Sequence, residues 1–460
     1  MSLAARVNVR RSDVIALCTC LFVNCTTNIT IAPDAPFASA VTEFDMLCGR
    51  AYYAALVSTL QFAGVLVGTI TWGHIGDSIG RRPVGIAVST LAFVAGVATG
   101  LFVHSWQLLA AGRFLTGLSC GGLMVVTYSH VMELILPEQR MLLRGFFNWG
   151  WSRLLITFIC FVIPEWRRSL IAMNVLACIP LLILLIFVVP ESPKWLESKR
   201  RFAAMQTAQQ KIDRFNRIQA TDKGDTRAEQ NTANTNHRLY SIKDLFCSGP
   251  EIARRTFVFC LMWFTASLSS YGIDLNSRQL PGDFFTSQFI FSAIIIASKM
   301  ILFFVDTYIP NFKRRTLHQG AISVTIVCYV AVVVLSILGY SDGYAITVIT
   351  QICVAFIEYT WDACYLCSAE GYPTPIRAIG VGTSSFTARI GAILAPQIAF
   401  LSTLWPPAVY VVVLGVCTVT LVVSLCWLPE TKGVELPSTF DNVQPTAHHH
   451  DAVELQKLNT

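Results

Sequence analysis

Gly73-His74-Ile75-Gly76-Asp77-Ser78-Ile79-Gly80-Arg81-Arg82 separates two apolar runs, near 51–71 and 84–103. Its glycines allow a tight reversal and a close helix approach. Asp77 suits a helix start. Arg81 and Arg82 suit helix ends and acidic neighbours across the molecule, with Glu133 and Glu191 as natural partners. The pattern recurs further along. Asp306 and Lys313-Arg314-Arg315 follow the eighth apolar run. The fourth run ends in Glu133, followed by Pro137 and Arg140, and the tenth in Glu370, followed by Pro373 and Arg377. Pro190-Glu191-Ser192-Pro193-Lys194 follows the sixth, and Pro429-Glu430-Thr431-Lys432-Gly433 the twelfth. Each pair is about 230–240 positions apart, and all three keep one order, the mark of two six-helix halves in parallel repeat.

The runs lie near 13–32, 51–71, 84–103, 106–128, 143–163, 169–189, 254–272, 285–306, 316–338, 344–367, 377–400 and 406–427. About twenty apolar residues cross a bilayer as a helix, and inside lipid only helices or closed barrels satisfy the backbone. Of the 460 residues, 54% are hydrophobic and 13% charged, where a soluble domain carries about a quarter charged. The expected fold is an all-α membrane protein with about twelve transmembrane helices. Residues 1–189 form an N-terminal half, 190–252 a central loop, 253–428 a C-terminal half and 429–460 a tail. Lysines and arginines crowd the central loop, which places it, and with an even span count both termini, in the cytoplasm. A retained first helix is preferred to a secretory signal: a cut at Ala38-Ser39-Ala40 would release an unusually long peptide.

Other classes find no footing. A net charge of +6 comes without an aromatic-basic stripe for nucleic acid, and no G-x-x-x-x-G-K-[ST] loop serves an ATP-driven pump. Most of the fifteen cysteines, Cys120 among them, sit in apolar runs and read as small hydrophobes. Cys364 and Cys367 lack a second pair for a metal. No cofactor is expected, and no catalytic arrangement presents itself. Cys25 and Cys48 flank the first loop, where pairing stays open. Asn24-Cys25-Thr26 and Asn28-Ile29-Thr30 are glycosylation sequons, but they lie within or against the first span.

The stretches Thr42-Glu43-Phe44-Asp45-Met46-Leu47-Cys48 and Gln61-Phe62-Ala63-Gly64-Val65-Leu66-Val67-Gly68 resemble the approach to the second helix of organic cation and anion transporters, solute carrier family 22 of the major facilitator superfamily. The similarity recurs at Pro164-Glu165-Trp166-Arg167, Pro190–Leu196, Trp263-Phe264 with Tyr271-Gly272, Glu370–Arg377 and Leu428-Pro429-Glu430-Thr431, over nearly the whole chain. It implies a major facilitator fold, alternating access and a small organic ion as substrate, with a counter-ion or exchanged solute as possible partner and the plasma membrane as default address. Two departures stand out. The family's long external loop is reduced to about Pro33–Arg50, and Ser78 replaces an arginine of the latch loop.

Ionisable residues inside spans are costly and point to function. Lys299 and Arg389 lie mid-span, and the resemblance places a lysine and an arginine there in anion carriers. Arg153 adds a third positive charge where the family more often has glutamine. Glu358 and Asp362, one turn apart on the tenth span, could bind a substrate cation, carry a coupling proton or neutralise the basic residues. An arginine fork and a lysine together suit a carboxylate or sulfonate. Trp149, Tyr271 and Tyr365 fall at ring-lined cavity positions of the resemblance, and Asn24 at a polar one. The substrate contacts expected are thus Asn24, Trp149, Tyr271, Lys299, Asp362, Tyr365 and Arg389. The conformational latch is expected from Gly73, Asp77, Gly80, Arg81, Arg82, Glu133, Arg140, Glu191, Asp306, Arg314, Glu370 and Arg377, holding the outward-open state. The charge balance leans to anions or zwitterions; cation transport is the alternative. A membrane sensor or scaffold that does not transport is the reading from another class.

Overall fold

The computed structural model describes residues 39–46, 50–134, 148–215, 242–247, 249–276, 284–309, 312–340, 344–372, 376–402, 404–405 and 407–430. The first expected span lies outside these residues. Among them are the helices α1 (Ala51–Ile79), α2 (Arg81–Phe102), α3 (Trp106–Gly122, prolonged through a π turn to Leu134), α4 (Trp149–Val162) and α5 (Trp166–Ile183, with a π turn to Val188). Three short helices follow, α6 (Pro193–Ser198), α7 (Phe202–Phe215) and α8 (Ile242–Cys247). The second set comprises α9 (Pro250–Asn276), α10 (Phe284–Tyr308), α11 (Arg314–Ile337), α12 (Tyr344–Gly371), α13 (Arg377–Leu401) and α14 (Ala408–Trp427). Ten of the described helices are long and apolar enough to cross a membrane, and α4 is a shorter apolar one. The protein is a multi-pass membrane protein. The bare flank of α5 fits lipid contact, with Phe187 71%, Ile183 51% and Leu176 50% exposed.

Helices outrun the hydropathic runs because motif residues at their ends are helical too. α1 carries Gly73 and Gly76 as far as Ile79, so the chain reverses at Gly80 alone, at φ +133°. A Cβ there would lie 2.6 Å from Glu191 Oε2, so glycine is needed twice over.

Within the first half, α1 and α3 approach at backbone distance. A Cβ on Gly64 would fall 2.3 Å from Phe114 O, and one on Gly121 2.4 Å from Val65 O. Small residues four apart on both helices permit this contact, where apolar burial offers no drive between helices in lipid. In the second half a core of Phe291, Ile295, Ile322, Tyr329, Val354 and Val413 fills the space between helices.

The two halves meet α1 against α13 and α4 against α10. Their described contacts cluster at the end opposite Gly80. Gln397 donates to Thr59 Oγ1 at 2.8 Å, Tyr52 meets Phe400 edge-on at 5.7 Å, and Phe161 meets Phe285 at 5.5 Å. The halves are closed together at this far end.

Candidate substrate cavity and its charged frame

At the Gly80 end the sequence repeat is also a repeat of contacts. Arg81 pairs with Asp77 at 2.6 Å and Glu133 at 3.6 Å, while Arg314 pairs with Asp306 at 2.6 Å and Glu370 at 3.5 Å. The Arg81 and Arg82 amides donate to Glu191 at 3.0 and 3.2 Å. The Arg314 and Arg315 amides donate likewise to Glu430, at 2.9 and 3.3 Å. The Arg82 guanidinium donates to the Leu185 and Ile186 carbonyls, and that of Arg315 to Leu425 O. A carboxylate thus meets each helix N-terminus and an arginine each exhausted C-terminus, as the helix dipole favours.

This geometry corrects two expectations. Asp77 caps no helix start, because it lies in the last turn of α1; Glu191 serves the start of α2 from the chain segment behind α5. For these partners the arginines do not reach across the molecule: among the described residues, Arg81 and Arg82 find Glu133 and Glu191, and Arg314 and Arg315 find Asp306, Glu370 and Glu430, each within their own half. Arg377 turns back to Tyr372 O at 3.3 Å. Arg140 lies outside the described residues.

Deeper, three basic side chains surround the meeting of the halves. Lys299 Nζ lies 2.7 Å from Asp362 Oδ2, 3.0 Å from Glu358 Oε2 and 3.1 Å from Glu358 O, all three residues being buried. Arg153 crosses between the halves, donating to Asp274 at 2.6 Å and to Gln288 Oε1 at 2.6 and 3.2 Å, over the ring of Phe291. Arg389, about 236 positions on from Arg153 on the repeat-equivalent helix, differs from both. It is 8% exposed, its Nε has no hydrogen-bond partner, and among the described residues it makes no ion pair. Its charge acts instead on Tyr271 of α9 and Cys120 of α3.

Cys120, read from the sequence as a small hydrophobe in an apolar run, is not buried. It is exposed at mid-helix, yet within electrostatic reach of Arg389 and Tyr271 in the other half. It therefore faces a space between the halves. A second small cavity is lined by Arg153, Ser270, Asp274, Ile295, Ile357 and Glu358. Of the expected rings, Tyr271 packs on Phe62 at 4.8 Å and Tyr365 on Trp263 at 4.3 Å. Trp149 is exposed at the start of α4, next to the close crossing of Gly150 and Ile296. Asn24 lies outside the described residues. Asp274 and Gln288 escaped sequence reasoning, the first because hydropathy ends its helix at 272, the second because a neutral amide raises no flag in a span. Among the described residues no group of three His, Cys, Asp or Glu side chains could hold a metal.

Two helical halves built on one repeat and meeting around buried charges define a membrane carrier of the major facilitator type. The family profile described as "Sugar (and other) transporter" matches residues 21–439. A Caenorhabditis elegans protein of uncharacterised function is 44% identical over 430 residues, covering 92% of this chain and 83% of its own length. Human solute carrier family 22 member 16 is 30% identical, covering 92% and 73%, and the organic cation transporter-like protein of Drosophila melanogaster 27%, covering 87% and 72%. In fold, the proton:xylose symporter XylE bound to 6-bromo-6-deoxy-D-glucose matches with a TM-score of 0.67 at 17% identity, over 88% of this chain and 93% of that one. The chain belongs to the sugar (and other) transporter family of the major facilitator superfamily and, within it, to solute carrier family 22. Apart from the uncharacterised Caenorhabditis elegans protein, these relatives are transporters and not enzymes.

Proposed function

We propose that this protein carries small organic anions and zwitterions, in preference to cations, across a bilayer by alternating access. The observation that carries this reading is Arg389, a buried guanidinium left without a carboxylate among the described residues and turned toward Tyr271 and Cys120 between the halves. An unpaired charge in a membrane interior is expensive, and an arriving carboxylate relieves that cost through two parallel hydrogen bonds. Tyr271 and Phe62 supply an aromatic wall for the solute's apolar body. Lys299 is held by two acids, so its cluster carries one excess negative charge, which would receive the cationic end of a betaine-like zwitterion. That arrangement supports the zwitterion reading and leaves Lys299 in a supporting role for simple anions.

Loop charges support a cytoplasmic central segment and termini. The far end is then external and the present arrangement inward-facing, with the plasma membrane as the default location. The latch clusters, each internal to one half, would keep the halves rigid as they rock about the cavity.

Uptake of a labelled aromatic monoanion and a labelled quaternary cation, side by side in cells expressing the chain, tests the reading. Saturable anion uptake that collapses in Arg389→Ala is expected. Undiminished anion uptake in that variant overturns the assignment, and cation uptake lost in Asp362→Asn puts cations first. A surface-expressed protein that moves neither these nor a zwitterion is a sensor on a carrier fold.

A further inference from the structure

Four basic residues, Lys194, Lys199, Arg200 and Arg201, stand within eight positions of one another just after α5, and Lys211 and Arg214 follow on α7. All six are exposed, and among the described residues none of them makes an ion pair. Between positions 194 and 214 the sequence sets only Glu197 and Asp213 against them.

The fold holds this charge at the membrane edge. The bare flank of α5 runs as far as Phe187, and Lys194 comes seven positions later. Ser192 caps α6 by accepting from Trp195 N at 3.2 Å, and the buried Trp195 indole donates to Asp77 O at 3.0 Å, near the end of α1. Leu196 is buried with it, and Met205 and Ala208 of α7 complete the same small core. Both helices are thereby fixed to the Gly80 end of the first half. The turn that joins them carries three of the charges. Its amides are closed from Lys199 to Trp195 O at 3.1 Å, from Arg200 to Glu197 O at 2.8 Å and from Arg201 to Leu196 O at 2.9 Å. Arg200 takes the left-handed position, at φ +57°, where a helix commonly ends in glycine. Glycine would serve the turn at less cost, so what arginine adds is outward charge. Phe202 comes next and is 52% exposed, an open aromatic ring beside three cations.

We infer that the turn between α6 and α7 is a docking site for the anionic phospholipid headgroups of the cytoplasmic leaflet. A cluster of about four to eight basic residues directly behind a span, with an aromatic ring to enter the headgroup region, has the chemistry of such a site. A soluble acidic protein would meet the charges but have no use for a ring beside the bilayer. Glu191, in the same segment, accepts from the Arg81 and Arg82 amides, so a lipid held here braces the latch of the first half. The inference rests on the cytoplasmic placement of the central segment and not on the substrate assignment.

The test compares retention of labelled phosphatidylserine and phosphatidylcholine by the purified full chain in neutral detergent micelles. Each basic residue near an anionic lipid surface is worth about fivefold in binding. Lys199→Gln, Arg200→Gln and Arg201→Gln together should therefore weaken phosphatidylserine binding about a hundredfold and leave phosphatidylcholine unchanged. Raising salt from about 0.1 M to about 1 M cuts the screening length from roughly 10 Å to roughly 3 Å and should weaken the parent likewise. If the triple variant misfolds, Arg200→Gly, which suits the left-handed turn, should alone cost about fivefold. Equal retention of the two lipids by the parent, or undiminished phosphatidylserine binding in a folded variant, overturns the inference. Competition by soluble glycerophosphoserine as strong as by the lipid overturns it too, as does capture of an acidic peptide through these residues with phosphatidylserine ignored. In intact cells an impermeant thiol reagent should not label Ser198→Cys above the parent's level; labelling from outside refutes the cytoplasmic side.

Discussion

Replacing Arg153 by glutamine should unlock the far end. Its guanidinium makes the ion pair with Asp274 at 2.6 Å and two hydrogen bonds to Gln288, joining α4 of one half to α9 and α10 of the other. Both partners of the pair are largely buried, at 13% and 14% side-chain exposure. Removing one member of a buried pair costs about 3–5 kcal/mol because the remaining charge stays desolvated. Opening of the far end lets water reach Asp274 and relieves that cost, so most of the loss falls on the closed arrangement. About 3 kcal/mol is a factor of roughly 150 in the closed-to-open ratio. A ratio of about 99:1 would become close to even. The assay is cross-linking of a Thr59→Cys, Gln397→Cys pair by a short bifunctional thiol reagent, each single-cysteine variant correcting for native thiols. The parent side chains touch at 2.8 Å. The yield should fall sharply with Arg153→Gln and recover in part with Asp274→Asn added, which removes the orphaned charge. An unchanged yield would refute the idea that this bridge closes the carrier.

Three further outcomes follow from the packing. Gly68→Val should prevent assembly of the first half, since even a Cβ would lie 2.1 Å from Leu118 O; loss of monodisperse protein on size exclusion checks it. Cys120 should react with an anionic thiol reagent admitted to the cavity and be shielded by a transported anion, whereas buried Cys160 and Cys178 should stay unlabelled by mass spectrometry. Glu191→Gln and Glu430→Gln should each lower thermal stability by a similar amount, about 1–2 kcal/mol for a lost charged cap, because the two carboxylates do the same work in repeat-related places. Clearly unequal losses would contradict that equivalence.

Hydropathy and motif order determined the membrane class, the position of each described span and the parallel repeat. A bilayer demands a fixed run of apolar residues, and a doubled chain leaves its motifs in register. The cost of burying charge likewise marked Lys299, Arg389, Glu358 and Asp362 from composition alone. Which of these charges meet was settled only by packing. Among the described residues, Lys299 took both acids, Arg389 none, and Arg153 found Asp274 in the other half. Helical spacing relates neighbours on one helix, but says nothing of rotation and depth between helices. For the same reason Cys120 read in the sequence only as a small hydrophobe of an apolar run while it is exposed in the fold, and the start of α2 draws its carboxylate from Glu191, about 110 residues away, in place of adjacent Asp77. Partners within one turn are written in the chain; partners across helices exist only once the halves have assembled.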